Sequence, residues 1–94
     1  MLDLKALTKT HVEAALREWT RRGAAPFRDH FGITGRARKF FVVHKGENMD
    51  MKAIVAAAAI IGGQHKVKTT DVHSHGAQAR LSALGFTVTP GAMR

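Results

Sequence analysis

The 94-residue sequence contains no cysteine. That excludes a disulfide framework, a thiolate metal site and a thiol nucleophile, and it fits a reducing compartment. Serine is nearly as scarce. Ser74 and Ser82 are the only two, and neither stands in the strand–turn–helix setting of a nucleophile elbow. Asn48 is the only asparagine. A His-Asn-His nuclease reading would start from His44, which ends a strand-like run before a turn and a helix. The helix that follows carries no histidine, so the metal-holding member is missing. Neither a phosphate-binding P-loop nor a dinucleotide fingerprint is present. Together these absences point away from an enzyme.

Long apolar runs are lacking too. The longest, Ala53 to Ile61, falls well short of the ~20 residues a membrane span needs. The opening "MLDLKALTKT" has neither the basic start nor the apolar block of a signal peptide. A cytoplasmic domain is expected. Acids are few: seven Asp and Glu stand against fifteen Lys and Arg, for a net charge of +8 and a pI near 11.0. Such an excess concentrates polyanions at the surface, and nucleic acid is the commonest polyanion in a cell.

The length implies one domain, with a globular core over 7–89 and flexible ends at 1–6 and 90–94. "LTKTHVEAALREWTRRG" reads as a helix capped at Thr8 or Thr10 and stopped at Gly23. Val12, Ala15, Leu16 and Trp19 form one apolar stripe. Glu13–Arg17 and Glu18–Arg22 have the favoured pair spacing, which leaves Arg21 without a helical partner. "PFRDHFG" is a short second helix starting near Pro26 and ending at Gly32. Phe40 to His44 is a strand, "KGEN" turns the chain, and Glu47 to Met49 pairs back. Asp50 caps a third helix that is apolar on most sides and ends at Gly62-Gly63. "AQARLSALG" is a fourth helix, with Ala77, Leu81 and Leu84 on one face, and "FTVT" is a last strand closed by Pro90. The expected fold is α+β in the order α-α-β-β-α-α-β, a short antiparallel sheet packed by helices.

The densest basic patch is Arg36, Arg38, Lys39 and Lys45, with no acid between positions 36 and 45. Flanking a strand and a turn, these residues suit phosphate contacts that read no sequence. A solvated basic face is the plain alternative, and Lys66 and Lys68 tilt the balance toward binding. Lys52 falls in the first turn of the third helix, where the helix dipole opposes a cation and attracts an anion. It is read either as part of a phosphate pocket or as a surface lysine paired with Glu47 or Asp50. His44, His65, His73 and His75 raise a metal reading. Without cysteine they lack the usual structural ligand set, and hydrogen bonding to phosphate is the expected role. No metal or cofactor is expected.

Several segments resemble a known family. "LTKTHVEAALREW", "FVVHKGENMDMKAIVAAA" and "LSALGFTV" are similar to the small N-terminal head domain of McrA-like, HNH-bearing type IV restriction endonucleases. The matching positions are Leu7-Thr8, Val43-His44, Gly46, Asp50, Lys52-Ala53-Ile54 and Leu84-Gly85-Phe86. The resemblance implies an accessory domain of a modification-dependent nuclease, one that touches DNA without cutting it. Met49 and Met51 depart from the family's tyrosine and serine, and "HSHG" replaces a more glycine-rich turn.

The expected function is therefore a non-enzymatic module binding double-stranded DNA in a restriction system. Its contacts are Arg36, Arg38, Lys39, His44, Lys45, Lys52, Lys66 and Lys68. The alternative is a small phage or mobile-element protein that inhibits a host defence complex by protein contact, with a nuclease or defence protein as partner. Few exposed aromatics are expected, because Trp19 and all five phenylalanines have core assignments. That argues against a protein interface, where aromatic anchors concentrate.

Overall fold

A computed structural model of the chain describes residues 2–33, 40–64, 67–68 and 71–90. A 3-10 turn at Leu4–Ala6 precedes α1 (Lys9–Arg22) and α2 (Ala24–Phe31). The hairpin β1 (Phe40–His44) and β2 (Glu47–Asp50) runs straight into α3 (Met51–Ile61), and α4 (Ser74–Ala83) leads to β3 (Thr87–Pro90). The three strands form one antiparallel sheet in the order β2-β1-β3. This is the α+β order expected from the sequence.

Local chemistry sets each boundary. The Thr8 hydroxyl accepts from the His11 amide at 3.2 Å and caps α1. Gly23, at φ 87°, closes α1 and opens α2, so α2 starts two residues before Pro26. The expected α1 stripe of Val12, Ala15, Leu16 and Trp19 is buried. It lies against α3, eight of whose eleven residues are buried. A helix enclosed to that degree must be apolar nearly all round. Its alanines keep it slim enough for α1, α4 and the sheet to close on it.

Trp19, Phe27 and Phe31 form a ladder of rings with centroids 5.1 and 4.9 Å apart, tying α1 to α2. On the sheet, Val42 is paired with Met49 on one side and Val88 on the other. All three face the helices, and Val42 and Met49 are wholly buried.

One expectation changes, at Arg21, and the start of the chain has contacts of its own. Leu2 and Leu4 lie against the core, and the Asp3 backbone exchanges two hydrogen bonds with the Gln64 side chain, at 2.8 and 3.0 Å. Arg80 Nη2 donates to the Leu7 carbonyl at 2.7 Å, fastening the start of the chain to α4. Arg21, expected to lack a helical partner, has one. Glu18 accepts from Arg21 at 2.6 Å and from Arg22 at 2.7 Å, because i+3 and i+4 both lie within reach on a helix. The hydrogen bonds from Arg22 and then Arg21 hold the Glu18 carboxyl below the usual carboxylate range.

Candidate nucleic-acid interface

Of the candidate contacts, His44 and Lys45 lie on the hairpin, Lys52 at the start of α3 and Lys68 in the loop after α3. Arg36, Arg38, Lys39 and Lys66 lie outside the described residues, as does His65 of the histidine group. The segment with the first three enters β1 at Phe40. His44 is the half-buried last residue of β1, paired across the ladder with Glu47. Lys45 and Gly46 form the two-residue turn, with φ of 51° and 81°. Positive φ at both positions is the hairpin geometry that suits the twist of the strands. At Lys45 it places a long cation at the exposed tip. Lys52 is the half-buried second residue of α3. Lys68 is exposed, in a loop held by Asp71, whose carboxylate accepts from the Lys68 amide at 3.0 Å.

The register decides which of these residues can act together. Phe41 pairs with Asp50 and His44 with Glu47, so the start of α3 and the hairpin turn occupy opposite ends of the sheet. Three residue steps along the strand separate those two pairs, or about 10 Å. His44 and Lys45 therefore share one end, and Lys52 sits at the other, where 34–39 also joins. The hairpin runs into the start of α3, and that helix tip stands at the opposite end of the hairpin from its turn.

The helix start is also filled from within. The Asp50 carboxylate, only 2% exposed, accepts from the Ala53 amide at 3.2 Å and from Arg28 Nη2 at 3.2 Å. The Arg28 guanidinium stands 5.2 Å from the centre of the Trp19 ring. An anion does sit at this helix N-terminus, as the dipole favours, but it belongs to the protein. Lys52 makes no ion pair with any described residue, so neither Glu47 nor Asp50 holds it.

Internal partners hold four of the remaining described cations, while Lys5, Lys9 and Arg17, like Lys45 and Lys52, make no described ion pair. Arg21, Arg22 and Arg28 are paired with carboxylates, and Arg80 is spent on backbone carbonyls. The two acids of the hairpin also have internal partners: exposed Glu47 accepts from Trp19 Nε1 at 3.0 Å, and buried Asp50 holds Arg28. The hairpin thus presents Lys45 and Lys52 without a described ion pair, while each of its carboxylates accepts a hydrogen bond from the fold. Among the described residues, no three His, Asp or Glu side chains are grouped so as to hold a metal ion. None of the described helices is long and apolar enough to cross a membrane.

One residue of this region was misread from the sequence. Phe41, with Val43, lies on the side of the sheet opposite Val42 and outside the hydrophobic core. The expectation that every phenylalanine is a core residue is corrected here. Strand alternation in "FFVVH" carried the signal, since burying Val42 turns both its neighbours outward.

The fold and the sorted charges define a small α+β domain that displays lysines from a hairpin and the helix following it. The chain matches the ScoMcrA-like N-terminal head domain family over residues 5–90 and belongs to that family. The match bears out the resemblance carried by the Val43-His44, Lys52-Ala53-Ile54 and Leu84-Gly85-Phe86 segments. Comparison with curated proteins and with solved structures gave no match. Met49 and Met51 are both buried, at 0% and 1% exposure, so these two positions serve apolar packing.

Proposed function

We propose that the domain is a non-enzymatic DNA-binding module of a restriction system, gripping the phosphate backbone of a duplex. The observation that carries this reading is the division of charge on the hairpin. Its two carboxylates are engaged by Trp19, Arg28 and Ala53, whereas Lys45 and Lys52 carry no described ion pair. Membership of a restriction-type head-domain family and the net charge of +8 point the same way.

In this reading Arg36, Arg38, Lys39 and Lys52 hold backbone at one end of the hairpin. His44 and Lys45 hold it at the other, with Lys66 and Lys68 extending the contact. Lys52 acts through its own ammonium rather than through the amides of α3. Two ends about 10 Å apart engage different phosphates, so their contributions are separable. Any nuclease or defence-complex partner would act beside this module, which itself only holds the nucleic acid.

The test is equilibrium binding of a labelled duplex, over a range of salt, to the wild type, Lys45→Gln and Lys52→Gln. Each substitution is expected to weaken binding for every sequence alike and to flatten the log–log salt dependence by about 0.9. A folded wild type that leaves the duplex unbound, or two variants with unchanged salt slopes, would overturn the reading.

A further inference from the structure

Two residues of the hairpin occupy positions that local preference assigns to other side chains. Lys45 has φ 51° and Gly46 φ 81°, a turn whose favoured first residue is Asn or Asp, since their short polar side chains tolerate the left-handed region. A lysine there carries a backbone cost that an asparagine largely avoids. The only asparagine of the chain stands three positions further on. Asn48 lies inside β2, where asparagine is among the disfavoured residues. Exchanging the two would suit both positions better. Both are exposed, and neither side chain makes a hydrogen bond or ion pair with any described residue. Residues held against local preference, with side chains that the fold does not use, point to function.

We propose that Asn48 reads a base edge in the major groove of a duplex, with adenine as its partner, while Lys45 holds the phosphate backbone beside it. This rests on the DNA-binding reading above and deepens it, from backbone contact to recognition of a base pair.

The placement of the two residues supports this. β1 pairs with β3 only as far as Val43 with Thr87, but with β2 one residue further, to His44 with Glu47. The turn therefore projects past β3, and Lys45 to Asn48 are exposed without a break. Two strands about 4.8 Å apart make a ribbon of a width that the major groove admits. Met49 is wholly buried, so alternation turns Asn48 to the opposite side. The neighbouring acid, Glu47, is drawn away from it by the bond from Trp19 Nε1.

The chemistry supports it too. An asparagine amide carries one acceptor and two donors. It can accept from the N6 amino group of adenine and donate to N7 at once, and in this groove no other base offers that adjacent pair.

The experiment selects bound sequences from duplexes of one length with a randomised centre. It uses the wild type, Asn48→Ala and the exchange Lys45→Asn/Asn48→Lys, which leaves the net charge at +8. Circular dichroism and melting temperature establish that the variants fold. The wild type is expected to enrich a site with a fixed A·T pair. Asn48→Ala is expected to cut the discrimination at that pair by about 5- to 150-fold. The exchange is expected to melt above the wild type and to lose the same discrimination. If the wild type binds the pool and enriches nothing, or if Asn48→Ala weakens every duplex alike, base reading is wrong while the backbone reading stands. If the exchange melts below the wild type, the two residues are placed for the fold and the proposal is overturned. If the wild type binds no duplex, both readings fall.

Discussion

Asp50→Ala is expected to destabilise the domain by roughly 3–5 kcal/mol. The Asp50 carboxylate does two jobs at once. One oxygen caps α3 through the Ala53 amide and the other neutralises Arg28. Loss of an N-cap alone costs about 1 kcal/mol. The larger part comes from Arg28, whose side chain is 18% exposed and whose Nε is buried without a hydrogen-bond partner. With Asp50 gone, that cation is left against Trp19 and apolar neighbours, and an unpaired charge in such a place costs far more than an exposed one. Domains of this size have a total stability of about 5–15 kcal/mol, so the variant should lose a large fraction of its stability and unfold at a markedly lower denaturant concentration. Asp50→Asn should lose less, because an amide still caps the helix. Chemical denaturation of both variants, beside Arg28→Met/Asp50→Ala, checks the account. If the double variant is no more stable than Asp50→Ala, stranded Arg28 is not the cause.

Gly62→Ala is expected to lower stability by about 1–3 kcal/mol, the usual cost of forcing atoms into a packed site. Backbone strain is not the reason, since Gly62 has φ −77° and ψ 3°, which any residue adopts. A β-carbon there would stand 2.8 Å from His11 Nδ1 and 2.9 Å from Cε1, closer than such atoms can approach. The imidazole of α1 therefore seals the end of α3 only because position 62 has no side chain. His11 Nδ1 is buried and makes no hydrogen bond, so truncating the ring gives up packing without breaking a bond at that atom. Gly62→Ala/His11→Ala should accordingly cost less than the sum of its two parts, with a coupling of about 0.5–3 kcal/mol. Thermal melts read this directly, at about 4–8 °C per kcal/mol in a domain of this length. Strict additivity would show that the two residues do not meet.

Much of the fold was legible because its signals are local. The stripe of Val12, Ala15, Leu16 and Trp19 defines α1, and Phe40–His44 with Lys45-Gly46 defines the hairpin. Asp50 ahead of the alanine run marks α3, and Leu84-Gly85-Phe86 marks the passage from α4 to β3. What sequence could not supply depends on residues far apart in the chain. Arg28 reaches Asp50 across 22 positions and Trp19 reaches Glu47 across 28. No spacing rule pairs them, yet they determine which charges are spent. The opposite placement of Lys45 and Lys52 follows from strand register, which a list of basic residues does not contain. Phe41 differs in kind: alternation within β1 already turned it outward, and it was missed because a phenylalanine invites a core assignment.

The most direct test of the central claim is a two-dimensional amide NMR titration of the whole chain with a short DNA duplex. The account predicts shift changes confined to residues 36–48, the neighbourhood of Lys52 and residues 66–68, with the inner faces of α1 and α3 unmoved. Changes confined to surfaces away from the hairpin, or no changes at a duplex concentration well above that of the protein, would contradict it.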